Sequence, residues 1–191
     1  MNADPRWLAP AALYLLLLAL AVRSDVQTRR IPNQVVLAGL LAGAALQALL
    51  PAGAGLFSDA FGSLGLGTAL AGAGIGLLLL LPMYVLGVMG AGDVKLLAMA
   101  GIFLGPQEII RAALAAMLAG GVLAIGAALW QGTLRQVLAN LRVMTWNSCL
   151  RAFAGSEARL IAPPAPTGKL PYAIAIAAGA VLNLLMIRLH F

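Results

Sequence analysis

The chain has 191 residues, 62% of them hydrophobic and 9% charged, with a formal net charge of +6 and a mean hydropathy of +0.99. A soluble domain carries about 25% charged residues, so 12 Lys+Arg and 6 Asp+Glu exclude a water-soluble enzyme, a disordered chain and a nucleic-acid-binding domain. What remains is an all-α, polytopic membrane protein, one domain over residues 1–191, its positive balance directed at anionic headgroups.

The first apolar run, Leu8–Val22, stops at Arg23-Ser24-Asp25. Its Ala19-Leu20-Ala21 also resembles the small-x-small site of a cleaved signal peptide, although Asp4 offsets Arg6 and leaves the start poor in positive charge. From Ile31 to Gly92 the only charge is Asp59, and two spans fit, Val35–Leu50 and Gly65–Val88. The loop between them is marked by Pro51, Gly53, Gly55 and Ser58. Val94–Leu104 is short: ~11 residues at 1.5 Å rise do not cross a ~30 Å core, so it recruits its flanks or is re-entrant. Ile109–Trp130 and Tyr172–Leu189 are the remaining spans. Between them Gln131–Pro171 is a polar loop. Its Leu134, Val137, Leu138, Leu141 and Met144 fall at helical spacing, which reads either as an amphipathic helix on the cytoplasmic surface or as a solvated linker. Glycines spaced by four, Gly39–Gly43, Gly72–Gly76 and Gly101–Gly105, allow helix backbones to approach closely.

Charge decides the parity of the crossings. With six, Arg23, Arg29, Arg30, Lys95, Arg135, Arg142, Arg151, Arg159 and Lys169 share one face against Arg6, Arg111 and Arg188 on the other. With five, that bias mostly disappears. The positive-inside rule therefore predicts about six spans with both termini outside the cytoplasm.

Acids near lipid are costly and usually functional. Asp4 and Glu157 lie in polar flanks, Asp59 in an outer loop, and Glu108 within reach of Arg111. Asp25 and Asp93 stand apart, since each abuts an apolar span on the same predicted face. Asp93 follows Gly90-Ala91-Gly92, and glycines before a carboxylate let another chain approach closely, such as an extended substrate strand. Two carboxylates in a low-dielectric site share a proton and can activate water, one as base and one as acid. The plainer alternative is that Asp25 neutralises Arg29 and Asp93 pairs with Lys95. The single cysteine, Cys149, excludes an internal disulfide and a Cys-cluster metal site, and the only histidine, His190, is too near the C-terminus to make a Cys-His pair probable.

The stretches Asp25-Val-Gln-Thr-Arg-Arg-Ile-Pro-Asn33, Gly90-Ala-Gly-Asp-Val-Lys-Leu-Leu97 and Lys169-Leu-Pro-Tyr-Ala173, in that order, resemble the type IV prepilin peptidases. These are membrane aspartic proteases of the G-x-G-D kind, and the third stretch is similar to that of their short, Tad/Flp-type members. The resemblance covers about residues 8–189. It implies that Asp25 and Asp93 are the catalytic pair. It also implies that the substrates are prepilins or pseudopilins, cut after a small residue at the cytoplasmic face of the bacterial inner membrane. Arg29, Arg30 and Asn33 would orient the loop or bind substrate, although a positive-inside anchor explains the arginines equally well. Pro32 reads as a helix start. Lys95 would tune the dyad or snorkel to headgroups, and Pro171 and Tyr172 would seat an extended substrate or simply mark the interface. No metal and no cofactor is expected. Larger members carry paired Cys-x-x-Cys motifs associated with methylation, and Cys149 is alone here. Two other readings compete: a small proton-coupled carrier that protonates Asp25 and Asp93, and a catalytically silent pilus-assembly scaffold.

Overall fold

A bilayer offers no water to backbone N–H and C=O groups, so apolar segments there close their hydrogen bonds within helices. The computed structural model describes residues 5–85, 89–136, 139, 142 and 172–189. A 3-10 turn, Pro5–Trp7, leads into α1 (Leu8–Thr28). Then come α2 (Asn33–Leu49), α3 (Leu66–Val85), α4 (Ala91–Leu104), α5 (Pro106–Trp130) and α6 (Tyr172–Leu189). The helix starting at Leu8 runs on to Thr28 rather than stopping at Val22, so Asp25 sits inside its last turns. The segment Gln131–Pro171, with Cys149, Pro171 and most of the amphipathic stripe, lies largely outside the described residues.

Four helices are long and apolar enough to cross a membrane: α1 with its leading turn, α3, α5 and α6. α2 is a shorter apolar helix. α4, at 14 residues, is ~21 Å long and falls short of a ~30 Å core. Its position explains its apolarity. Ten of its residues are buried, and it touches the five other helices named here, so among the described residues α4 is the hub around which the rest pack.

Glycine makes that hub possible. A Cβ on Gly72 would collide with the Gly101 carbonyl, one on Gly101 with the Gly72 carbonyl, and one on Gly76 with the backbone of Leu97. On the opposite side Gly39 and Gly43 admit Met99, Ile102 and Phe103. The spacing by four thus marks real close approaches of α3 and α2 to α4. At Gly105 the chain turns with φ 81°, a conformation that disfavours residues with a Cβ, and Pro106 opens α5.

One end of the bundle is stoppered by the loop between α2 and α3. Ala52 and Ser63 form an isolated β-bridge, and Leu56 and Phe57 are buried. The Tyr14 ring lies 5.5 Å from that of Phe57 and 5.2 Å from that of Phe103. Gln47, buried near the end of α2, pins the loop. Its Nε2 donates to the Ile102 carbonyl at 3.2 Å and its Oε1 accepts the Leu64 N–H at 2.8 Å. Ser63 Oγ donates to the Gln47 carbonyl at 2.7 Å. Arg188 at the end of α6 donates to Asp59 Oδ1 at 3.2 Å and to the Phe57 carbonyl at 3.4 Å, with its guanidinium 4.3 Å from the Trp7 ring. At the start of α5, Glu108 pairs with Arg111 at 2.7 Å, as expected, and accepts Asn183 Nδ2 at 3.0 Å. These contacts put the start of α1, the stopper loop, the α4–α5 turn and the end of α6 at one end. Asp25, Asn33, Asp93 and Tyr172 therefore belong to the other.

Candidate active site

Three helix ends build the site. α1 ends where Arg29 adopts a left-handed conformation, φ 54°, with its N–H on the Asp25 carbonyl at 2.9 Å. Ser24 Oγ and Thr28 Oγ1 donate to the Arg30 carbonyl at 2.8 and 3.2 Å, folding the chain tightly toward α2. Pro32 then precedes the first residue of α2, Asn33. The connector is residues 29–32, and it carries three of the sequence-flagged positions through backbone geometry as much as through side chains.

At the start of α4 the Gly90 N–H donates to Asp93 Oδ2 at 3.3 Å, so the acid satisfies its own helix start. Gly90 has an ordinary φ of −78°, and the need for glycine is clearer at Gly92. A Cβ there would stand 3.1 Å from Ile31 Cβ. The close approach expected at these glycines is thus filled by the chain's own connector rather than left open. Lys95 Nζ donates to Asn33 Oδ1 at 3.1 Å, so Lys95 ties α4 to α2 at the level of Asp93.

α6 supplies the third end. The Ala173 N–H donates to Asp25 Oδ2 at 3.3 Å across 148 residues of sequence. Asp25 is 8% exposed, and among the described residues it is the one carboxylate that is buried. Asp93 lies near enough to feel its charge. Burial first, and the Asp25 charge second, push the Asp93 carboxyl from 3.8 up to about 6, against a smaller pull downward from the Gly90 N–H. Tyr172 opens α6 immediately before Ala173. It lines an apolar cleft of about 450 Å³ beside the site, with Gly120, Leu123, Gly126, Trp130 and Ala175. Sequence reasoning missed the Ala173 amide altogether, because a backbone donor leaves no mark on residue identity. It also passed over Gln47 and Asn183, whose isolation in apolar helices was the available signal.

The raised Asp93 value has a consequence for stability. Below pH 3.8 folded and unfolded chains both hold the proton. Between 3.8 and about 6 only the folded chain keeps it, and the stability this carboxyl contributes at low pH is lost as pH rises through that window. Asp93→Asn is therefore expected to raise the melting temperature in detergent at pH 8 and to leave it nearly unchanged at pH 4. Discounted for partial exposure, the gain is about 1 kcal/mol, or ~2–4 °C. Equal melting shifts at the two pH values would show that the carboxyl is not destabilised by its site.

Among the described residues no group of three or more His, Cys, Asp and Glu is placed to hold a metal ion. A family model described as the type IV leader peptidase family matches residues 11–125, a stretch containing both aspartates. No curated protein and no solved structure matches the chain.

Proposed function

Because the chain belongs to the type IV leader peptidase family, and is thus a multi-pass membrane peptidase, we propose that it is an aspartic endopeptidase cutting the short leader from prepilins or pilin-like precursors at the cytoplasmic membrane face. The observation that carries this reading is the meeting of Asp25 and Asp93, from two helix ends, close enough for one charge to raise the other's proton affinity. Such a pair shares a proton and can run both halves of peptide hydrolysis. The carboxylate takes a proton from water as the water oxygen bonds to the scissile carbonyl carbon. The carboxylic acid gives its proton to the carbonyl oxygen, forming a tetrahedral diol. The diol then collapses: the C–N bond breaks, the amine leaves with a proton, and a carboxylic acid product forms.

The surroundings support the same reading. The apolar cleft at Tyr172 adjoins the helix end that bonds Asp25, and gives the membrane-embedded part of a precursor a place beside the dyad. Arg29, Arg30, Asn33, Gly90, Gly92 and Lys95 shape the connector and the start of α4, which makes them orienting groups. The expected face follows from the distribution of Lys and Arg.

The direct test is processing of a prepilin by the purified protein in liposomes. Leader removal is expected, without methylation of the new amino terminus. The connector between α1 and α2 is residues 29–32, which leaves no room for an inserted domain, and a tetrahedral zinc centre needs about four ligands where this chain has one cysteine. Stoichiometric zinc in the purified protein, or methylated product when S-adenosylmethionine is supplied, would contradict the second half of that expectation. An intact leader would contradict the first.

A further inference from the structure

Each aspartate accepts one backbone N–H at 3.3 Å, but the two donors differ in kind. The Gly90 N–H belongs to the helix that carries Asp93, and the pair forms whenever that helix forms. The Ala173 N–H comes from the first turn of α6 and meets Asp25 inside the bundle, where Ala173 is fully buried. First-turn amides have no partner within their helix, and the positive end of the helix dipole favours an anion. In a buried setting a bond from such a donor to a carboxylate is strengthened, while to a neutral acid it is worth less.

We propose that the main-chain amide of Ala173 is a positioning group for the dyad, holding one oxygen of Asp25 so that this residue is the charged member that takes the proton from water, and Asp93 the member that bears the proton. The assignment deepens the aspartic-protease reading and rests on it. It agrees with the direction in which burial and the Asp25 charge move Asp93. The other ionisable side chains near this end, among the described residues, are Arg23 on α1, Arg29 and Arg30 in the connector, Tyr84 on α3, Lys95 on α4, Tyr172 on α6 and Arg135 beyond α5, while α2 brings only the amides of Asn33 and Gln34. Lys95 is engaged by that Asn33. Among the described residues, the amide of Ala173 donates to Asp25 from outside its own helix.

Replacing residue 173 by its α-hydroxy analogue, lactic acid, turns the N–H into an ester oxygen and keeps the methyl side chain. An ester at Ile174 controls for the weakened carbonyl, and Ala173→Gly keeps the N–H. With the ester at 173, kcat on a prepilin is expected to fall about tenfold or more with KM within about twofold, and the acidic limb of the kcat profile to move up by about one pH unit. That limb belongs to the pair rather than to either carboxyl. The Ile174 ester is expected to behave as wild type, and Ala173→Gly, which keeps the N–H, to leave the acidic limb in place. A fall in kcat that is uniform across pH, with the limb unmoved, would mean that the bond is merely structural and would overturn the proposal. The protease reading is judged separately, by whether wild type cuts at all. Titration of ¹³C-carboxyl aspartate by NMR, assigned with Asp25→Asn and Asp93→Asn, needs no substrate. The lower of the dyad's two steps is expected to rise in the ester, and an unmoved step overturns the proposal even if no precursor is ever cleaved.

Discussion

Asp25→Asn and Asp93→Asn are each expected to reduce prepilin cleavage by about 10³-fold or more while leaving the protein folded and inserted. Asn matches Asp in shape but cannot exchange the proton that the pair must pass between water, carbonyl oxygen and leaving amine. The double variant is expected to be no worse than either single one, because groups that act as a unit are not additive. Asp59→Asn is the control. Asp59 sits at the far end of the bundle, paired with Arg188 on a half-exposed surface, where an ion pair is worth about 0–1 kcal/mol and touches no chemistry. The measurement is leader removal in liposomes at equal membrane abundance. Near wild-type cleavage by either dyad variant would end the aspartic-protease reading and bring the carrier and scaffold readings forward.

The largest stability effect is expected where backbone meets backbone. Gly101→Ala or Gly72→Ala adds a methyl group that would strike the facing main-chain carbonyl. Side chains can rotate away from such a clash, but a helix axis must shift bodily. Because α4 touches the five other helices named here, the shift has nowhere to dissipate. A loss of about 3 kcal/mol is expected, near the upper end for overpacking, or ~10 °C in melting temperature. Gly74→Ala, two residues along the same α3 and so on its opposite face, would meet nothing within 4 Å and is expected to be neutral or stabilising by up to ~1 kcal/mol through helix propensity. Thermal unfolding in detergent separates the two cases, and equal effects at Gly72 and Gly74 would refute the packing argument.

Much of this architecture was readable before any coordinates. The last span, Tyr172–Leu189, is helical throughout as α6, because the polar segment before it sets the apolar run apart. Val94–Leu104 was the hard case for a physical reason. Hydropathy cannot distinguish a helix that is apolar because lipid surrounds it from one that is apolar because other helices do, and α4 is of the second kind. The same helix recruits Ala91, Gly92 and Asp93 from its flank, as its shortness suggested, with Asp93 accepting the Gly90 N–H at its start. Asp25 and Asp93 were singled out from sequence, by motif order and by resemblance. The Ala173 amide was not, because hydrogen bonding by the main chain is independent of side-chain identity.

The stopper loop bears on how the molecule treats protons. Asp25 lies 11 positions along α1 from Tyr14, a rise of ~16 Å. Tyr14, Leu18 and Ala21 between them are buried, with Leu56 and Phe57 closing the end beyond. Under the proposed reading, the carboxyls that exchange protons with each turnover have buried side chains between them and the far end of the bundle. A carrier needs its protonation sites to face both sides in turn, which a floor of packed aromatic rings opposes. A peptidase needs the reverse: a well with a sealed bottom, so that acid–base chemistry can run within an energised membrane without becoming a leak through it.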